Sequence, residues 1–265
     1  DFKIAKSDDK NCYISYNLKK EKGEVTADYE VSDGEFKLRQ KSNHVTVNMD
    51  LSGIEALISG TKDYTQRNQF ILYLPEAKQI SSAELDMAEG DISVGRLRSD
   101  RIDISVDAGD IKLLDTESKE IKIASSDGDM SVKDSKLNTV TINDSYGDIK
   151  FEDTDIDSGK ISTNDGDISV KNTNLKGINI TDNYGDIKCN GGSFEDIAVK
   201  LNDGDLRLED TKFDGNIKIK SGYGDVKVIG FDAWKGISVN AKTSYGDVSV
   251  KNITDGDKTE TSFER

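Results

Sequence analysis

From residue 81 onward, apolar and polar residues alternate in short runs that recur at a fixed interval. The sequence contains ten Gly-Asp pairs, and nine of them mark this interval. The glycines of these nine pairs are Gly90, Gly109, Gly128, Gly147, Gly166, Gly185, Gly204, Gly224 and Gly246. The first seven, from Gly90 to Gly204, are spaced 19 residues apart. A fixed period of this length is typical of solenoid proteins, in which each repeat forms one coil and neighbouring coils bury a continuous core.

Each repeat contains two apolar pairs that indicate two short strands. The first pair occupies the second and fourth positions after the glycine, as in Ile92 and Val94. The second pair precedes the next glycine, as in Ile121 and Ile123. Apolar residues separated by one polar residue favour a half-buried strand, so stacked repeats should form parallel sheets. No segment from 81 to 252 shows the apolar spacing of a helix.

The pattern predicts an all-β fold, a single parallel β-solenoid or β-helix with about 19 residues per coil and an irregular N-terminal β cap. We expect residues 1–33 to form the cap, 34–252 the solenoid and 253–265 a C-terminal tail or cap. Capping is needed because an open strand edge invites aggregation. Before the regular coils, one or two irregular coils are suggested by the alternating apolar residues Phe36/Leu38 and Val45/Val47/Met49.

The Gly-Asp pair itself has a predicted structural role. The glycine should occupy a sharp corner, where φ is positive and a Cβ atom would clash. The Asp that follows should join an outward column in which like charges lie about 4.8 Å apart. Lys133 and Lys171 should face Glu152 in neighbouring coils and relieve that repulsion. An alternative is that some of the Asp carboxylates turn inward and cap corner amides.

The residue before each corner glycine alternates, which makes the true repeat a pair of coils. These residues are Asp127, Tyr146, Asp165, Tyr184, Asp203, Tyr223 and Tyr245. Stacking would place Tyr146 and Tyr184 about 10 Å apart, with Asp165 between them. Aromatic rings that alternate with carboxylates could stack on sugars or hold an extended cationic peptide, so this column is the candidate binding site. The structural alternative is that each tyrosine packs over a corner glycine of a neighbouring coil.

Composition narrows the range of partners. The chain has 51 acidic and 36 basic residues, a net charge of −15, which argues against binding nucleic acid or an anionic membrane through a basic face. No stretch approaches the roughly 18–20 apolar residues of a membrane-spanning helix. Because the sequence begins at Asp1 without a Met, we expect a segment outside it to export or anchor the protein.

The sequence contains no motif of known catalysis, and GxSxG, HExxH, P-loop and Cys/His metal patterns are all missing. Carboxylates are abundant, but none stands out as an acid/base pair, and the single histidine is His44 in the irregular N-terminal part. We therefore expect no enzyme, no cofactor and no metal site. Calcium held by the Asp column is an alternative, although calcium-binding solenoids have a period near nine with paired glycines.

The two cysteines are predicted to be free thiols. Cys189 lies about five coils beyond the first Gly-Asp coil and Cys12 precedes all of the coils, so more than about 20 Å should separate them. A disulfide needs Cα atoms within about 7 Å. We expect Cys189 to act as a small core residue.

The chain resembles a bacterial adhesin-like family of Gly-Asp repeats, a domain of unknown function. The resemblance covers roughly residues 34–252 and rests on the repeats GDISV, GDIKL, GDMSV, GDIKF and GDVKV and on the lead-in FILYLPEAKQISSAELDMAEGDISV. It implies a β-solenoid, an envelope or extracellular setting and no established catalysis, and some relatives lie near envelope-stress systems of Gram-positive bacteria. The family supplies no catalytic residues.

These observations predict a non-enzymatic module, secreted or exposed on a bacterial cell surface, that acts in adhesion or interaction. Its expected partner is a cell-surface glycan or protein. One alternative is an extracytoplasmic domain for envelope-stress sensing or regulation. A more distant alternative, a polysaccharide-active enzyme, rests on analogy of fold alone.

Overall fold

The computed structural model describes residues 1–7, 12–17, 28–32, 34–40, 45–50, 58–61, 69–75, 79–230, 238–251 and 260–264. All regular secondary structure in these ranges is β-strand. The fold is a parallel β-solenoid of about nine turns with about 19 residues per coil, which confirms the predicted fold class.

Each coil contributes one strand to a sheet that we call sheet A and one strand to a second sheet, sheet B. Numbered in chain order, the strands that precede the regular coils are β1 (Phe2–Lys6), β2 (Cys12–Asn17), β3 (Asp28–Ser32), β4 (Glu35–Gln40), β5 (Val45–Asp50), β6 (Ile58–Thr61), β7 (Gln69–Leu74) and β8 (Gln79–Glu89). Sheet A of the coils contains β9 (Ile92–Gly95), β11 (Ile111–Leu114), β13 (Met130–Lys133), β15 (Ile149–Glu152), β17 (Ile168–Lys171), β20 (Ile187–Asn190), β23 (Val226–Gly230) and β25 (Val248–Lys251). Sheet B contains β10 (Arg98–Ala108), β12 (Glu117–Asp127), β14 (Lys136–Tyr146), β16 (Asp155–Thr163), β18 (Asn174–Lys176), β19 (Ile178–Tyr184), β21 (Ser193–Asp203), β24 (Ser238–Tyr245) and β26 (Glu260–Glu264), while β22 (Leu206–Tyr223) runs through both sheets.

Successive coils pair in parallel and in register, so the same position recurs directly above itself. Ile111 lies beside Ile92 and Met130 in sheet A, and Ile121 lies beside Ile102 in sheet B. All five side chains are buried. The inward residues therefore form continuous apolar columns, and each fully buried side chain of this kind stabilises the fold by about 1.5–3 kcal/mol.

Cys189 belongs to one of these apolar columns, between Val170 and Leu208 in sheet A. Its thiol is free and buried, and burial raises the pKa of the thiol above its ordinary value. This confirms Cys189 as a small core residue. The side chain of Cys12 lies outside the described side chains, so its state stays a prediction.

The N-terminal part adds antiparallel strands to the end of the stack. β5 pairs antiparallel with β8, and β4 and β3 continue this meander. The interpretation of Phe36/Leu38 and Val45/Val47/Met49 as irregular coils is therefore wrong: these residues lie on antiparallel hairpin strands. A hairpin strand with one buried face has the same two-residue alternation as a coil strand, so the pattern could not distinguish them. β1, in contrast, pairs parallel with β9. The domain limits at residues 33 and 252 stay predictions.

The corner glycines are required by the close approach of successive coils. A Cβ atom added to Gly166 would lie 2.1 Å from the carbonyl oxygen of Gly147. The same contact, at 2.1–2.3 Å, recurs at Gly109, Gly128, Gly147, Gly185, Gly204, Gly224 and Gly246. Gly166 has a φ of +142°, but Gly147 and Gly185 do not adopt the left-handed region. The requirement that all of these corner glycines share is therefore the close approach of the neighbouring coil's backbone, and a positive φ is needed only at some of them.

The Asp after each corner glycine forms a hydrogen-bonded ladder, which we call the Asp ladder. The amide N–H of Asp167 donates to Oδ1 of Asp148 at 2.8 Å. Equivalent bonds of 2.7–3.1 Å join each Asp of the series to the next, through Asp91, Asp110, Asp129, Asp148, Asp167, Asp186, Asp205, Asp225 and Asp247. The bond from the Asp205 amide holds the pKa of Asp186 below its usual value. The expected column is therefore present, and its carboxylates cap corner amides.

Ion pairs on sheet A place lysines beside acidic residues of the outward face, including two of the Asp ladder. Lys133, Lys150 and Lys171 place their Nζ atoms 3.8, 3.5 and 3.2 Å from the carboxylate of Glu152. Lys188 lies 3.6 Å from Asp167 and 3.1 Å from Asp186. The predicted ladder of Lys133, Glu152 and Lys171 is confirmed.

Replacing a corner glycine should destabilise the fold strongly. In Gly166→Ala the new Cβ would meet backbone atoms of Gly147, so we expect a loss of about 2–4 kcal/mol in the free energy of unfolding, measured by urea denaturation. Gly95→Ala is the control, because its Cβ would lie 3.4 Å from the nearest atom and should change stability by less than about 0.5 kcal/mol. Equal stability of the two variants would contradict the role assigned to close approach.

The Asp ladder predicts a difference between alanine and asparagine. Asp148→Ala removes the acceptor of the Asp167 amide and should cost about 1–2 kcal/mol. Asp148→Asn keeps an Oδ1 acceptor and should cost less than half as much. Asp157→Ala, an exposed aspartate outside the ladder, serves as the control in the same thermal-denaturation series. If Asn proves as harmful as Ala, the hydrogen bond is not the source of the stability.

Candidate binding surface

The seven residues proposed as a binding site lie in one column along the corner between sheet B and sheet A. We call this set the tyrosine column. Strand register and one isolated bridge place neighbours side by side in the order Asp127, Tyr146, Asp165, Tyr184, Asp203, Tyr223 and Tyr245. Each residue directly precedes a corner glycine, which fixes its backbone against the next coil.

The tyrosines project into solvent. Tyr146, Tyr184, Tyr223 and Tyr245 are 60%, 59%, 53% and 67% exposed. The surrounding residues therefore cover less than half of each tyrosine. Since exposed aromatic side chains combine an apolar face with a hydrogen-bonding hydroxyl, these residues are available for contact with a partner.

Two of the tyrosines form a stacked pair. The rings of Tyr223 and Tyr245 have centroids 4.8 Å apart and planes inclined by only 5°. Along the rest of the column an Asp separates successive tyrosines, so Tyr146 and Tyr184 present single rings. The C-terminal end is therefore the one place in the column where two rings form a continuous aromatic surface. The alternation in the sequence stops there, which could have indicated the pair.

A column of polar residues lies inside the corner, and the sequence interpretation missed it. Three residues before the glycine, the side chains of Ser125, Asp144, Thr163 and Asp182 are buried, and Asp144 and Asp182 are only 7% and 0% exposed. Strand register stacks Ser125 beside Asp144 and Thr163 beside Asp182. Strand alternation from the buried Ile142 could have placed Asp144 on the inward face.

These two carboxylates lie beneath tyrosine-bearing corners. Oδ1 of Asp182 accepts the amide N–H of Tyr184 at 3.2 Å. Oδ2 of Asp182 and both carboxylate oxygens of Asp144 have no hydrogen-bond partner among the described residues. The motif Asp-x-Tyr-Gly-Asp thus joins an exposed tyrosine to a buried carboxylate at positions 144–148 and 182–186.

Burial raises the pKa of both carboxyl groups. Loss of solvation is the largest cause, and the pKa of each group reaches about 6. Neighbouring negative charges add to the effect, from Asp129 and Asp127 at Asp144 and from Asp167 and Asp165 at Asp182. A buried carboxylate whose oxygens are not all hydrogen-bonded destabilises the folded state when it is charged, so protonation of these groups should stabilise it.

The buried carboxyls predict a pH-dependent stability. Because a raised pKa means that the folded state binds the proton more tightly than the unfolded state, these two carboxyls favour folding most at acid pH, and their contribution to stability should fall as pH rises from about 4 to about 6. Asp144→Asn and Asp182→Asn should each stabilise the protein at pH 8 by on the order of 2 kcal/mol. Near pH 4 this gain should be almost absent.

Urea denaturation at both pH values measures this difference. Asp157→Asn is the control, because Asp157 is exposed and its replacement should change stability equally at both pH values. A gain that is the same at pH 4 and pH 8, or a loss at pH 8, would show that the carboxyls are not buried as charged groups at neutral pH.

Possible metal ligands and surface depressions are the other features of the described residues that bear on a candidate site. In these ranges no group of three or more His, Cys, Asp or Glu side chains is arranged to hold a metal ion. A depression of about 560 Å³ lies where β4 and β5 meet sheet B, lined by residues that include Glu84, Arg101 and Asp103, and it is remote from the tyrosine column. His44 lies outside the described residues, and the expectation that the chain is not an enzyme stays a prediction.

Comparison with known proteins identifies a family. A family model described as Toastrack DUF4097 matches residues 1–187 and 119–264, which together cover nearly the whole chain. No curated protein and no solved structure matches the chain. Within the described part of the molecule, no helix has the length and apolar character needed to cross a membrane.

Proposed function

The chain belongs to the Toastrack DUF4097 family, and on this premise we propose that it is a non-enzymatic interaction module that binds its partner along the tyrosine column. The Toastrack domain is a β-solenoid of unknown function. The resemblance to an uncharacterised repeat family is thus confirmed, whereas an adhesin role is part of this proposal.

The exposure of the tyrosines carries the proposal. Among the described residues, six large apolar side chains are exposed: Tyr29, Leu114, Tyr146, Tyr184, Tyr223 and Tyr245. Four of the six share one column, although outward positions are distributed over the whole surface. Tyrosine is enriched at interaction hot spots because a rigid, amphipathic ring contributes a large contact area at low entropic cost.

The geometry of the column supports an extended partner. Successive coils repeat at about 4.8 Å, so the column offers evenly spaced contacts along a line. The corner glycines and the Asp ladder hold the backbone of this line rigid, and a rigid surface loses little entropy on binding. We propose a cell-surface glycan or protein as the partner and an extracellular or cell-surface location, where an adhesin would act.

Binding should depend on the tyrosine rings. We expect Tyr184→Ala/Tyr223→Ala and Tyr223→Ala/Tyr245→Ala to weaken binding at least tenfold in glycan-array and pull-down assays. Tyr29→Ala removes an exposed tyrosine outside the column and should leave binding unchanged. All three variants should keep the wild-type melting temperature, because the altered rings are mostly in solvent.

Two outcomes would contradict this function. If a partner is found and neither double variant weakens its binding, the tyrosine column is structural. If the protein degrades any polysaccharide of the array, the non-enzymatic assignment is wrong.

A further inference from the structure

The corner that presents the tyrosine column is acidic over five successive coils. Its residues 126–129, 145–148, 164–167, 183–186 and 202–205 include eight acidic residues and no basic residue, and we call this set the acidic corner. Asp165 and Asp203 are exposed there, and neither carboxylate forms an ion pair with any residue that the structure describes. The surface around Tyr146 and Tyr184 therefore favours a positively charged partner.

The basic residues that flank the acidic corner neutralise it only in part. On the sheet A side, three of them each contact a carboxylate: Lys150, Lys188 and Arg207. Of these, Lys188 lies 3.6 Å from Asp167 and 3.1 Å from Asp186 of the Asp ladder. On the sheet B side, the position three residues before the column is neutral in the first four of the five coils and becomes basic only in the fifth, at Lys200.

A buried carboxylate adds negative charge beneath this corner. Asp182 is 0% exposed, and its Oδ2 has no hydrogen-bond partner among the described residues. This oxygen lies 2.8 Å from the place that a Cβ atom on Gly185 would occupy, at the corner glycine that follows Tyr184. Asp182 also interacts electrostatically with Asp165 and Asp167 on the outside of the corner. An external cation would reduce the repulsion among these three carboxylates.

Tyrosines and aspartates alternate along the acidic corner with a period of two coils. Strand register and the bridge between Tyr146 and Asp165 set this order, which is Asp127, Tyr146, Asp165, Tyr184 and Asp203. Because neighbouring coils are about 4.8 Å apart, equivalent side chains recur every 9.6 Å or about that distance. A partner that contacts all of them must present its own side chains at a similar interval.

Among regular peptide conformations, polyproline II matches this interval best. One turn contains three residues and rises about 9.3 Å, so every third side chain points the same way at nearly the required spacing. A β-strand returns to the same face after two residues, or about 6.7 Å. An α-helix needs two turns, or about 10.8 Å, so between Asp127 and Asp203 it would drift by about 2.4 Å where polyproline II drifts by about 0.6 Å.

We propose that the acidic corner binds a cationic peptide segment in the polyproline II conformation, with Lys or Arg at every third residue, along the solenoid axis. This inference rests on the proposed function and specifies the chemistry of its partner. The cationic side chains pair with Asp127, Asp165 and Asp203. The residues between them, including prolines, pack on the exposed rings of Tyr146 and Tyr184, and the cations gain further stabilisation from the faces of these rings.

Side-chain amides beside the column suit the backbone of such a peptide. Asn164 and Asn183 directly precede Asp165 and Tyr184, and Nδ2 of Asn183 donates to Oδ1 of Asn164 at 2.9 Å. An amide nitrogen has two N–H groups, so each of the two side chains keeps at least one donor. Polyproline II has no internal hydrogen bonds, and its carbonyl groups can therefore accept from these donors.

Isothermal titration of the full chain with a synthetic peptide of about five Lys-Pro-Pro repeats tests the proposal. We expect binding that weakens as salt concentration rises. Asp165→Asn/Asp203→Asn and Tyr146→Ala/Tyr184→Ala should each reduce the affinity at least fivefold. Both variants should stay folded, because the altered side chains are exposed.

Two matched controls separate this site from general attraction to an acidic protein. Asp134→Asn/Asp153→Asn removes the same two charges from the other corner of the coil, where Asn172 occupies the equivalent position, and should change the affinity less than twofold. A peptide of identical composition, with its lysines clustered at one end, should bind at least fivefold more weakly than the regular repeat.

Four results would overturn this inference. Equal weakening by the two aspartate double variants would show that the peptide responds only to net charge. Equal binding of the clustered peptide would refute the polyproline II period. Tighter binding of chitosan, a cationic glycan, with the same dependence on Asp165 and Tyr184 would make the partner a sugar. Binding of a neutral glycan that needs the tyrosines, without binding of the peptide, would refute the cationic ligand and leave the proposed function intact.

Discussion

The close approach of successive backbones at the corner is the constraint on which the rest of the structure depends. The Cα of Gly166 lies so near Gly147 that a Cβ atom would be 2.1 Å from its carbonyl oxygen. The same approach brings the amide of Asp167 within 2.8 Å of the carboxylate of Asp148. The Gly-Asp pair is therefore one structural element, because the glycine permits the approach and the aspartate satisfies an amide that would otherwise lack a partner.

Sequence pattern predicts the regular part of this fold because position within a coil determines burial. The two-residue alternation around Ile92 and Val94 and the period of 19 residues lead directly to parallel sheets and to the contact of Glu152 with Lys171. The pattern fails at the N-terminal end, where Phe36 and Val47 alternate in the same way on antiparallel strands. Alternation reports which face of a strand is buried and carries no information about the direction of its neighbour.

The candidate site could be predicted in part, for a related reason. The exposed residues of the tyrosine column are visible as an alternation of Asp and Tyr before each glycine. The carboxylates beneath it are harder to predict. Tyr146 lies only two positions after Asp144, and strand alternation alone would place both on the same face, so only the position of the corner places one inside and the other outside. The two-coil period therefore also applies to the inward residues. Asp182 accepts a hydrogen bond from the amide N–H of Tyr184, so the coil that exposes this tyrosine also buries a carboxylate.

The outward columns of a solenoid are free to vary, because the fold is determined by the inward residues and the corners. On sheet A this freedom is used for charge pairing, as Glu152 shows by its contacts with three lysines. On sheet B, Lys200 and Lys220 lie side by side without a carboxylate, an arrangement that stability alone does not favour. Neither packing nor ion pairing therefore requires Lys200 and Lys220, in contrast to the lysines around Glu152.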